Sequence, residues 1–305
     1  MAGPAVHGSD HRRWSFMKFL QAALTGMLLG GLHALMAAGL SLSWGVLRII
    51  NLTHFGLILI GAYLTFQIAS SWHIDPILTL VVTVPALFAA GAVLQWGFDR
   101  LAVTELNSLL LSFGLLVVMV QAVSNIWTAD FQQMTTDVNP YATGSLSVGR
   151  LVFPSTTLIA FALSVVIIGG GHQALHRTFI GRALRAFAMD RTVAAAFGID
   201  HRRISILVAG IAGGSAAVAG MLFALSTALT PFTAFEWFGI VFAVVILGGI
   251  GNVVGTLLAG LLVGALSSLA SVIHSPATEP FVVFSLIVVA LLVRPQGLFA
   301  RAGGH

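Results

Sequence analysis

The stretch Ile204–Phe235, ISILVAGIAGGSAAVAGMLFALSTALTPFTAF, runs for thirty-two residues without a charged side chain. A bilayer-spanning helix needs about 20 such residues, because only a closed hydrogen-bonded helix removes backbone polarity from hydrocarbon. The same pattern recurs outward in both directions. Further uncharged stretches cover 19–47, 49–74, 76–98, 106–129, 151–176, 237–278 and 280–293. The first five and 204–235 each fit one crossing. The stretch 237–278 has room for two, with a break at Gly248-Gly249-Ile250-Gly251-Asn252. The last is short and recruits Glu279 and Arg294 as interfacial flanks. The expected fold is an all-α integral membrane protein, a polytopic bundle of eight or nine transmembrane helices with broken or re-entrant helices. Residues 1–305 read as one membrane domain, with a polar N-terminal tail over 1–18 and no separate soluble unit. The first apolar run is too long for the core of a cleavable signal and reads as the first membrane helix.

Composition agrees. Hydrophobic residues make up 58% of the 305 and charged residues 8%, with a mean hydropathy of +1.00. A soluble surface would need about a quarter of its residues charged, so a soluble enzyme, a disordered chain and a nucleic-acid-binding domain are excluded. There is no cysteine, hence no disulfide framework, thiolate zinc site or cysteine nucleophile. The single lysine, Lys18, sits in Met17-Lys18-Phe19 with no glycine before it. A P-loop needs Gly-Lys-Ser/Thr to hold nucleotide phosphates, so any energy from ATP must come through a partner.

Basic residues set the orientation. The segment 177–203 carries Arg177, Arg182, Arg185, Arg191, Arg202 and Arg203 against Asp190 and Asp200. This places 172–203 in the cytoplasm and 128–152 outside. Five crossings before the arginine loop put the N-terminus outside, against the preference of Arg12, Arg13 and Lys18. Nine crossings return Arg294 and Arg301 to the inside, and nine are favoured for that reason.

Two interruptions stand out. Trp44-Gly45-Val46-Leu47-Arg48-Ile49-Ile50-Asn51-Leu52-Thr53-His54-Phe55-Gly56 places polar groups between apolar runs with little length for a loop. It is either a broken helix lining a pathway or a short cytoplasmic turn anchored by Arg48. Asn51-Leu52-Thr53 also matches a glycosylation sequon, which so tight a turn makes irrelevant. The second interruption, Leu247–Gly255, has four glycines and Asn252 but no charge. Phe55-Gly56 and Phe238-Gly239 each open an apolar run leading to glycine. Such breaks in two halves point to a site in repeat-built transporters, but the repeat is faint and chance likeness among Gly/Leu/Val runs is the stronger explanation. The pairs Gly26/Gly30, Gly210/Gly214, Gly251/Gly255 and Gly260/Gly264 are spaced for close helix approach.

Other chemistry is thin. His172 and His176 lie four apart, but Gln173 stands where a zinc protease needs glutamate, so the pair reads as interfacial. There is no G-x-S-x-G. Glu236 and Glu279 fit at helix ends, which leaves no mid-span carboxylates for a proton-driven pump. The loop Gly181–Asp200 reads instead as an amphipathic helix, followed by a second short helix capped by Asp190, running through Phe197 and stopped at Gly198. Its length exceeds what joining two spans requires. It either docks on another protein or lies on the membrane; its largely alanine face is a weak lipid anchor, which favours docking.

The stretches 30–61, 181–200 and 242–264, with Val46-Leu47-Arg48-Ile49-Ile50-Asn51 and Arg294-Pro295-Gln296-Gly297-Leu298-Phe299, resemble the permease subunits of ABC importers for branched-chain amino acids, of the LivH-like type. The likeness covers roughly 20–300. It implies a second homologous permease, two cytoplasmic ATP-binding subunits that use ATP and magnesium, a periplasmic solute-binding protein, and a multi-pass location in a bacterial inner membrane. The chain itself would be no enzyme and bind no cofactor or metal. Gly181, Arg182, Arg185, Asp190, Arg191, Ala195 and Gly198 would couple to the ATPase. Arg48, Asn51, Thr53, His54, Gly56 and Asn252 would line or gate the substrate pathway. The family's Asn-x-Ala-His-Gly-Glu stands here as Asn51-Leu52-Thr53-His54-Phe55-Gly56, so a carboxylate is lost. Related permeases move urea, short amides or aromatic acids, and these are the alternative substrates. The rival readings are a stand-alone secondary transporter, against which the missing carboxylates argue, and a membrane scaffold, which has no need of two glycine-rich breaks.

Overall fold

A computed structural model describes residues 8–101, 104–294 and 297–299. Nine apolar helices carry the bundle among them. They are α1 (Gly8–Leu47), α2 (Thr53–Trp72), α3 (Leu80–Arg100), α4 (Glu105–Trp127), α5 (Ser155–Arg177), then, after two short helices α6 (Phe179–Met189) and α7 (Arg191–Ala196), α8 (His201–Ser226), α9 (Thr233–Gly248), α10 (Val253–Ile273) and α11 (Glu279–Val293). Seven are long and apolar enough to cross a bilayer; α9 and α11, of 16 and 15 residues, are the shorter apolar helices. At 1.5 Å per residue these two cover about 22–24 Å, less than a hydrocarbon core of about 30 Å. The chain is a multi-pass membrane protein, and the break at 249–252 falls where the glycines predicted it.

Three boundaries differ from expectation. The polar segment 8–18 is not a separate tail but the first turns of α1. The arginine loop begins at Thr178 rather than 172, because α5 continues through His172 and His176 to Arg177. The turn after α8 lies at 227–232, ahead of Glu236, which sits in the first turn of α9; Pro231 and the Thr227–Thr230 stretch end the apolar helix before the charge does.

The helices alternate in direction, so the arginine loop shares one end of the bundle with the α1–α2 and α9–α10 breaks and with Asp99-Arg100. Close packing comes from glycine. Gly26 and Gly30 of α1 interlock with Gly260 and Gly264 of α10, and a methyl group at any of the four would collide with the facing backbone. Both of these predicted pairs therefore serve one interface, through backbone contact. Gly210 of α8 instead receives the ring of Phe88, and Gly251 precedes α10 rather than lying on it, so the Gly251/Gly255 pair is no helix-packing motif. Helices α1, α2, α8 and α9 supply most of the buried core, whereas Val81, Leu110 and Leu292 stand exposed on the outer faces of α3, α4 and α11. That inside-out distribution suits a lipid solvent.

The opposite end is capped by segment 128–154. It contains a hairpin that helix reading did not foresee, β1 (Ser145–Val148) antiparallel to β2 (Leu151–Pro154). Gln21 of α1 pairs with both backbone groups of Val152, Oε1 accepting at 3.0 Å and Nε2 donating at 2.5 Å. Tyr141 donates to Asp75 at 2.5 Å, and that bond pushes the phenol up to about 12.

Candidate functional site

The site is built on residues 48–52, where α1 stops and α2 starts. Arg48 adopts a left-handed backbone, φ 55°, a conformation that costs a non-glycine residue about 1–2 kcal/mol. Its environment holds it there: the Arg48 amide still closes on Trp44 O at 2.9 Å, while the guanidinium reaches Ala188 O of α6 at 3.3 Å. Asn51 Oδ1 accepts from the amide of Thr53 at 3.0 Å and from its hydroxyl at 2.5 Å. This Asx turn opens α2. Ser112 of α4 accepts from Leu52 N at 3.0 Å and donates to Ile50 O at 3.4 Å. Backbone groups freed by the break are thus satisfied by side chains, as burial demands.

Thr53 and His54 are buried. The His54 ring lies over Gly39 of α1, where a methyl group would strike it, and Nε2 bonds Met36 O at 2.9 Å. Gly56 faces α4 instead, against Met119 and Leu116. Asn252, at the other break, spends both ends of its side chain on structure. Oδ1 accepts from Gly255 N at 3.1 Å, and Nδ2 donates to Phe299 O at 2.7 Å.

A vestibule of about 540 Å³ opens at the arginine-rich end, lined by Leu47, Ile49, Gln95, Asp99, Arg191 and Arg202 among others. Leu47, Ile49 and Gln95 also line a neck of about 10 Å³ together with Ser43, Asn51 and His54. A space that small holds one water at most, so the vestibule ends at a constriction formed by the first break. Gln95 and Asp99 are the residues that sequence reading passed over. Gln95 Nε2 donates to Asp99 Oδ1 at 2.8 Å, and Ser205 of α8 donates to Asp99 Oδ2 at 2.5 Å. The available signal was Gln95 four residues before Asp99, one polar stripe on an apolar helix; a search for charges alone ends the stretch at residue 98 and overlooks it.

The arginine loop folds as its caps predict. Thr178 caps α6 through Gly181 N at 3.0 Å, and Asp190 caps α7 by accepting from Thr192 N and Val193 N at 2.8 and 3.0 Å. Gly198 takes φ 80° beyond α7, and Asp200 caps α8. Gly181 packs on the carbonyls at the end of α5. Leu184, Phe187 and Ala194 are buried against Val46, Leu47, Ile204 and Val208. Arg191 stacks over Phe187 and donates to Leu47 O, the last residue of α1. Arg185 bonds His176, and Arg182 lies over Phe179. Ala195 is exposed. The outward face is bulkier than the alanine face expected: beside the exposed Ala186 and Ala196, Met189 and Phe197 are each 83% exposed and Val193 53%. Two reciprocal bonds, Arg48 to Ala188 and Arg191 to Leu47, therefore tie the loop to the break that forms the neck.

The two Phe-Gly segments meet: Phe55 and Phe238 lie 4.5 Å apart, with Phe242 against both. They do not mark equivalent places, however, since one break precedes α2 and the other follows α9.

The chain is similar along nearly its whole length to curated transport proteins. It is 28% identical to the high-affinity branched-chain amino acid transport system permease protein LivH of Salmonella typhimurium, over 94% of this chain and 97% of that one. It is 25% identical to BraD of Pseudomonas aeruginosa, of the same description, over 93% and 96%. It is 23% identical to a probable LivH of Methanocaldococcus jannaschii, over 89% and 90%. No solved structure matches it. Residues 22–292 match the family described as the permease component of the branched-chain amino acid transport system; with nine apolar helices, two breaks and a folded arginine loop, the chain belongs to that family.

Proposed function

We propose that this chain is the permease subunit of an ABC importer, a single membrane domain that passes branched-chain amino acids across a bacterial inner membrane. The arginine-rich end faces the cytoplasm in this reading. ATP and magnesium act on two partner subunits, a second homologous permease completes the pathway, and a periplasmic binding protein delivers the solute. This chain carries no catalytic step and binds no cofactor. The observation that carries the reading is the α6–α7 unit. It is bonded inward to the α1–α2 break and presents Met189, Val193 and Phe197 outward, an apolar face with no partner among the described residues. Alternating access follows: movement of α6–α7 on ATPase closure pulls Leu47 and Arg48, and the neck at Asn51 and His54 opens or closes.

The test is purification in mild detergent with the products of neighbouring transport genes, followed by reconstitution. Two ATP-binding subunits and one related permease are expected to co-purify, and vesicles of the complex should take up leucine only with ATP and binding protein. The chain alone moving leucine on an ion gradient would overturn the reading. Uptake of urea or acetamide in place of leucine would keep the machine and replace the substrate.

A further inference from the structure

The neck has a chemistry that its size and position do not explain. Gln95 is 2% exposed and His54 3%. His54 bonds a carbonyl through Nε2, so that nitrogen donates, and a neutral ring then leaves Nδ1 as an acceptor. Gln95 donates its amide nitrogen to a carboxylate, which fixes the flip and leaves Oε1 as an acceptor. Neither His54 Nδ1 nor Gln95 Oε1 has a hydrogen-bond partner among the described residues, and both side chains line the neck. Buried acceptors without donors are uncommon, and each costs stability unless a donor arrives. The wall beside them is small and apolar: Leu57, Gly91, Ala209 and Ala212.

We propose that His54 Nδ1 and Gln95 Oε1 form an acceptor pair that reads the N–H donors of the solute as it passes the neck. The class of solute this fits is a primary ammonium or amide on an aliphatic body, with the nitrogen toward the acceptors and the carbon chain toward Leu57 and Ala212. A solute without N–H donors leaves both acceptors unpaired and is disfavoured for that reason. Asp99, held by Ser205, is the positioning residue: by taking the Gln95 amide nitrogen it leaves the Gln95 oxygen turned away from the carboxylate and free to accept. The inference rests on the transport reading above and specifies its discriminating step.

The experiment uses the reconstituted complex with its binding protein, and two probes, leucine and N,N-dimethyl-leucine. The measured quantity is the ratio of their ATP-dependent uptake rates. The same binding protein serves all variants, so any change in the ratio belongs to the permease. Gln95→Met is nearly isosteric and His54→Phe keeps an aromatic ring; each removes one acceptor. The ratio is expected to fall at least about fivefold in either variant, with thermal stability of the complex kept. An unchanged ratio in the inserted variants overturns the acceptor pair while leaving the transport reading intact. Failure of either variant to insert leaves the other to decide. Failure of both, with Gln95→Glu and His54→Gln inserted, assigns the pair a packing role and overturns it too. Wild-type vesicles that take up neither probe overturn the transport reading and this inference together.

Discussion

The two breaks in the bundle look alike as sequence and do different work. The α1–α2 break keeps a side-chain wall: Thr53 and His54 are buried and Asn51 is half-buried, Arg48 and Leu47 are bonded to the arginine loop, and the neck forms against it. At the α9–α10 break, backbone meets backbone. Gly251, φ 80°, lies against Gly45 of α1, its amide donates to Ser41 Oγ at 3.0 Å, and Asn252 is consumed by its cap and by Phe299. Interrupting a helix at membrane depth frees polar backbone in either place. One solution satisfies it with side chains that a motion can re-aim; the other does so by close contact that resists motion. A glycine-rich break is thus a sign of packing here, and the polar break is the one that the proposed transport cycle would move.

That contrast can be broken most directly at Gly251. Gly251→Val forces a β-branched residue into a left-handed backbone beside Gly45, an expected loss of about 2 kcal/mol or more. Detergent-purified protein should melt several degrees lower, and its uptake should fall only in proportion to the folded fraction. An unchanged melting temperature would remove the packing role. Arg191→Ala sharpens the other side. It deletes the bond to Leu47 O and the stack on Phe187, of order 1.4 kcal/mol, which is tenfold in rate if it falls on the coupling step. ATP-driven uptake is expected to drop about tenfold at nearly constant melting temperature, and a parallel loss of both would make the loop merely structural. The smallest effect is local. Asp190→Ala removes two capping bonds worth about 1 kcal/mol, so amide exchange over 192–196 should quicken about fivefold while α8 and α10 keep their protection.

Much of this was legible because lipid is a simple solvent. Uncharged length placed the crossings and the second break, and charge bias placed the arginine loop at one end. Capping chemistry placed Asp190, Gly198 and the two short helices, since a cap is satisfied within three residues of itself. What was misread depended on distance along the chain. Gln95 and His54 are forty-one positions apart, so their shared neck had no local sign. Gly56 and Asn252 looked equivalent to Asn51 until their neighbours, Met119 and Phe299, were known. The outward apolar face of α6–α7 was misjudged for a related reason: Ala194 sits inside while Phe197 points out, and only the partner surface of α1 and α8 decides which side is which.

The amino-acid sequence alone determined that this is a multi-helix membrane protein with its basic loop on one side, because hydrocarbon length and charge transfer are local, additive costs. Tertiary structure decided which polar residues converge. Hydrogen bonds between Arg48 and Ala188, or between Asp99 and Ser205, join residues more than a hundred positions apart, and their partners are chosen by how nine helices pack rather than by anything either segment encodes.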